Sequence, residues 1–92
     1  MSIFVVIQQT PTGPSGSLVG AIHASGLPKY PLQDDVWLLS RVGTARDLCV
    51  ALGIEGGENG TAVVTEVASY FGRANPAIWS WIKTNWEGEP LG

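Results

Sequence analysis

Apolar residues come in short unbroken runs instead of alternating strictly with polar ones. The runs are Ile3-Phe4-Val5-Val6-Ile7, Val36-Trp37-Leu38-Leu39 and Ala62-Val63-Val64. A strand with one wet face alternates apolar with polar, so a sheet built from these runs has no side meant for water. Ile3, Val5 and Ile7 point one way and Phe4 and Val6 the other, and each side needs a cover.

Between the runs lie helix signals. After the first strand, Thr10-Pro11-Thr12-Gly13-Pro14-Ser15-Gly16-Ser17 reads as a loop, because its residues fix φ or permit positive φ. Ser15 or Ser17 then caps a short helix with Leu18 and Ile22 on one face, closed by Gly26. Residues 27–33 carry Pro28 and Pro31, which cannot donate to a central ladder and so describe an edge strand. Asp34-Asp35 turns this strand into the buried run at 36–39. Thr44 opens a second helix with Asp47 three residues on, a short form of the capping box, and Leu48 and Leu52 inside. Gly53 ends it, and 61–67 is β-branched enough to form a strand. Beyond it, Asn75 caps and Pro76 begins a third helix at 77–86. Ile78, Trp79, Ile82 and Trp86 share one arc of that helix, and Trp81 sits at its border.

The resulting order is β-α-β-β-α-β with an extra C-terminal helix. With right-handed crossovers it makes a ferredoxin-like α/β (α+β) sandwich: a four-stranded antiparallel sheet with two helices on one face. The chain, 1–92, reads as one domain, with 68–92 a C-terminal extension that carries the Trp-rich helix. Two helices cover one face, leaving Phe4 and Val6 with either Val36 and Leu38 or Trp37 and Leu39, as the register decides. Phe4, Val6, Trp37, Leu39, Trp79, Trp81 and Trp86 are therefore the expected interface residues of a homodimer, since two-fold self-association is the commonest cover for such a face. The tail packs either on its own domain or across the dimer.

Composition agrees with a partly hidden surface. Charged residues make up 14% of the chain and hydrophobic residues 45%, against an average of about 25% charged. The net charge of -3 offers phosphate backbones no diffuse attraction, so nucleic acid is a possible partner that the charge does not support. The lone cysteine, Cys49, allows no internal disulfide and fits a reducing compartment. The amino terminus lacks the features of a signal peptide, and no apolar run nears the ~20 residues that span a bilayer. A cytoplasmic protein with no membrane association is expected.

Several motifs, taken in order, resemble a known family: Met1-Ser2-Ile3-Phe4-Val5-Val6 opening a strand, Asp35-Val36-Trp37-Leu38-Leu39 after a short hairpin, Thr44-Ala45-Arg46-Asp47-Leu48 starting the second helix, and Phe71-Gly72 followed by Ala77-Ile78-Trp79-Ser80-Trp81. They look like the SinR-like branch of the CRISPR-associated spacer-acquisition nuclease superfamily. The resemblance covers most of the chain and implies a ferredoxin-like homodimer. It also implies a divalent-metal nuclease whose members place an aspartate at the end of the first strand. Here that stretch is Ile7-Gln8-Gln9-Thr10, without a carboxylate, and an amide is a poor primary ligand for Mg²⁺.

The remaining chemistry is thin. Asp34 and Asp35 are candidate metal ligands, more simply read as a solvated turn. Arg41 and Arg46 flank the second helix and are candidates for binding an anion jointly. The loop Gly13-Pro14-Ser15-Gly16-Ser17 has the placement of a phosphate cradle but not its lysine. His23 has no nucleophile-elbow pattern around it, and Cys49 reads as a small core filler. No catalytic residue and no cofactor is expected. The leading expectation is a small dimeric binding or accessory module without catalysis of its own. One alternative is a Mg²⁺-dependent nucleic-acid hydrolase using Asp34 or Asp35. Another is a ligand-sensing module with a pocket lined by Trp79, Trp81 or Trp86.

Overall fold

Two of the three apolar runs form the central strands of a four-stranded antiparallel sheet, and the third, Ala62-Val63-Val64, lies on an edge strand paired with the first run. A computed structural model describes residues 2–69 and 72–86. Its elements are β1 (Ser2–Thr10), α1 (Leu18–Ser25), β2 (Lys29–Gln33), β3 (Val36–Arg41), α2 (Ala45–Ala51), β4 (Thr61–Glu66) and α3 (Pro76–Asn85). Among the described residues the fold is a small α+β arrangement of three helices and one sheet in the order β2-β3-β1-β4. Met1 and Phe71, which belong to the family motifs above, lie outside the described residues, as do Tyr70 and the end of the C-terminal extension at 87–92.

Each helix begins where its local chemistry satisfies free amides. Ser17 Oγ accepts from Gly20 N at 3.0 Å, and Gly26 closes α1 at φ 68°, a left-handed turn open to glycine at little cost. At α2, Thr44 Oγ1 accepts from Asp47 N at 3.2 Å while Asp47 Oδ2 accepts from Thr44 N at 2.8 Å, a reciprocal capping box. Asn75 Oδ1 accepts from Ala77 N at 2.9 Å ahead of Pro76, whose missing N–H is one that a helix start leaves unpaired anyway.

The register assigns the faces. Phe4 lies opposite Leu39 and Val6 opposite Trp37, whereas Val5 lies opposite Leu38 and Ile7 opposite Val36. Phe4, Val6, Trp37 and Leu39 pack as one cluster with Leu18 and Ile22 of α1 and with Leu48 and Leu52 of α2. This corrects the expected interface: these four strand residues group together, but they form the core beneath α1 and α2. Strand alternation separates two faces without saying which one the crossovers roof.

The other face belongs to α3. Ile82 is buried against Ile3 and Leu38, with Tyr30, Ile78, Trp79, Trp81 and Trp86 packed around them. The third helix therefore covers the second face from within the same chain, at the Ile3 end of β1. Trp81 joins this layer through a tilted ring contact with Tyr30, centroids 6.3 Å apart. Ser40, opposite Ile3, lies on this face with its hydroxyl fully buried and, among the described residues, without a hydrogen-bond partner.

Candidate functional site

The cover provided by α3 stops short of the far end of the sheet. Ile7 and Val63 are cross-strand partners on the α3 face, and they are 38% and 50% exposed. Val36, the other partner of Ile7, is half-buried beside them. The result is an apolar strip running across β3, β1 and β4 and ending on the edge strand. Sequence reasoning missed it, although its signal is present: Ile7 and Val63 stand at positions where a strand facing water would carry polar side chains.

Asp34 and Asp35 form the exposed turn between β2 and β3. Gln8 N donates to Asp35 O at 2.7 Å, and Gln8 Nε2 donates to Asp35 Oδ1 at 2.9 Å. Asp35 thus stands beside the end of the first strand, and one of its carboxylate oxygens is engaged by an amide. Gln8 Oε1 is itself buried and has no hydrogen-bond partner among the described residues. No group of three His, Cys, Asp or Glu side chains gathers among the described residues.

Arg41 and Arg46 each have a partner within the chain. Arg46 Nη2 lies 3.3 Å from Glu55 Oε1, an exposed pair, and Arg41 Nη1 donates to Val42 O at 3.2 Å. Both guanidinium groups also act on Asp47. Its carboxyl is held below the ordinary value chiefly by the Thr44 backbone and side-chain hydrogen bonds, with weaker help from the two arginines. A carboxylate favoured in the folded state stabilises the fold above the unfolded pKa, and that contribution is lost as pH falls through the folded pKa. Acid titration of the urea midpoint is expected to show this loss in the native chain and a flatter profile in Asp47→Asn.

The glycine loop is closed as a phosphate cradle. Gly13 N donates to Gly16 O, Ser15 N to Glu58 O and Leu18 N to Pro11 O, all within 3.0 Å. A Cβ on Gly13 would strike the Gly57 and Glu58 carbonyls, so the β1–α1 loop is locked against the loop before β4. The amides of Gly13, Ser15 and Leu18 are thereby committed to carbonyls. His23 is exposed near the end of α1. Cys49 is half-buried, and burial, followed by the nearby Glu55 charge, raises its thiol pKa, which disfavours the reactive thiolate. Trp79, Trp81 and Trp86 pack against the second face of the sheet.

The chain matches no protein-family profile, no curated protein and no solved structure. Among the described residues no helix is long and apolar enough to cross a membrane.

Proposed function

We propose that this chain is a small ferredoxin-like binding or accessory module that works as a homodimer in the cytoplasm and relies on surface contact, not on chemistry of its own. The β2-β3-β1-β4 order, with α1 and α2 packed on one face, supports the ferredoxin-like reading. The resemblance to the spacer-acquisition nucleases implies the same fold and the same assembly. The observation that carries the proposal is the exposed Ile7–Val63 pair at the uncovered end of the α3 face. Fully burying an exposed side chain of this kind is worth roughly 1.5–3 kcal/mol; Ile7 and Val63 are already partly covered, so covering the remainder is worth a fraction of that, repeated in both copies of a two-fold contact.

Sedimentation velocity over a concentration series tests it. The native chain is expected to run as a dimer at micromolar concentration and Val63→Lys, at an exposed position on β4, as a folded monomer with an unchanged circular dichroism spectrum. A native chain that stays monomeric at hundreds of micromolar contradicts the proposal.

The competing proposal is a metal-dependent nucleic-acid hydrolase, favoured by the position of Asp35 beside Gln8. Cleavage of RNA or DNA that requires Mg²⁺ and is lost in Asp35→Asn would replace the binding module with an enzyme.

A further inference from the structure

We infer that two copies of the chain join through the outer edge of β4, antiparallel about a two-fold axis at Val63, so that two four-stranded sheets become one continuous sheet. This rests on the homodimer proposed above and specifies its surface and register.

The two edges of the sheet differ in kind. On the β2 edge, Ser40 N donates to Pro28 O at 3.0 Å. By the alternation of an antiparallel ladder, Lys29 and Pro31 then turn their backbone groups outward. Pro31 has no N–H to offer there, Lys29 places a charge on the same edge, and the register shifts between Pro31 and Gln33. Proline, lysine and a bulge are the usual means of blocking strand addition. On the β4 edge, Val67 N donates to Ile3 O at 2.8 Å, so Val63 and Thr65 bond inward to β1, and Ala62, Val64 and Glu66 face outward. All three retain their N–H groups. No proline or lysine interrupts Thr61–Glu66, and the nearby register shift places its extra residue on β1. Among the described residues, nothing pairs with this edge.

The occupant that fits is a second copy, because β4 is complementary to itself. With Val63 opposite its own counterpart, Ala62 falls opposite Val64 and Thr61 opposite Thr65 of the second copy, and the outward N–H and C=O groups meet in hydrogen-bonded pairs. The strand has a single charged residue, Glu66, at its end. Antiparallel pairing in this register separates the two carboxylates by about 20 Å at ~3.4 Å per residue, well beyond the screening length of ~8 Å at physiological salt. Parallel pairing would place them side by side. The same register also continues the apolar strip, from Ile7 through Val63 to its counterpart and on to the second Ile7.

The test is a symmetric disulfide, with amide hydrogen exchange on the native chain as an independent readout. A non-hydrogen-bonded antiparallel pair brings its Cα atoms to about 4.5 Å, within the range a disulfide spans. In a Cys49→Ala background, mild oxidation is expected to convert Val63→Cys almost completely to a linked dimer, while Val19→Cys, exposed on α1, links little. In the native chain the Ala62 and Val64 amides are expected to exchange slowly and the Lys29 amide quickly. If sedimentation shows a dimer while Val63→Cys fails to link and the Ala62 and Val64 amides exchange as fast as that of Lys29, the edge pairing is overturned and self-association stands. If the native chain is a monomer throughout, both fall.

Discussion

Replacing Phe4 with Ala is expected to lower stability by about 3–5 kcal/mol, with the cost appearing in folding and not in association. The ring is fully buried in the cluster formed with α1 and α2, opposite Leu39 on one neighbouring strand and Glu66 on the other. Truncating a buried Phe removes its transfer free energy and leaves a cavity that rigid strands cannot collapse to fill. Small domains hold only about 5–15 kcal/mol in total, so this single change removes a large share. Urea unfolding reads the loss as a lower midpoint at every protein concentration. If Phe4 lay between two copies, the change would instead weaken the dimer and leave a stable monomer.

Ile82→Ala is expected to cost about 2–5 kcal/mol, and the cost is localised. Ile82 is the buried anchor of α3, held against Ile3 and Leu38 across the sheet. The loss loosens α3 before the remainder of the domain unfolds, because the cluster beneath α1 and α2 does not include it. Three of the four tryptophans, Trp79, Trp81 and Trp86, pack in this layer. Their fluorescence is therefore expected to shift to the red at lower urea than the loss of strand circular dichroism. Coincident transitions at the native midpoint would mean that α3 contributes little to holding the second face.

The local devices could be read directly from the chain because their causes lie within a few residues. Ser17, Thr44 with Asp47, and Asn75 with Pro76 cap the helices they precede, Gly26 takes the left-handed φ, and Pro31 lies on an edge strand. Each depends on one turn of backbone chemistry that distant packing does not alter. The faces were not legible in this way. Phe4 and Val6 alternate with Ile3 and Val5 symmetrically, and only the pairing of β1 with β3 and the side taken by α1 and α2 distinguish the two sets. Asp35 meets Gln8 across a similar distance in sequence, and Ile7 with Val63 forms a strip only once β4 lies beside β1. The third helix was visible as an amphipathic arc. Its seat at one end of the second face, which leaves Ile7 and Val63 open, follows from the tertiary arrangement and has no local signature.

The second face of the sheet is roofed by α3 of the same chain at one end and open at the other. Nuclear Overhauser contacts between the Ile82 methyl groups and those of Ile3 and Leu38 test it most directly, in a sample mixing isotope-labelled and unlabelled chains. These contacts are expected within labelled chains, unchanged on dilution, with no such contact from Ile82 to Ile7 or Val63. Contacts that pass only between labelled and unlabelled chains would place α3 on a neighbour, and contacts from Ile82 to Val63 would close the strip on which the proposed dimer depends.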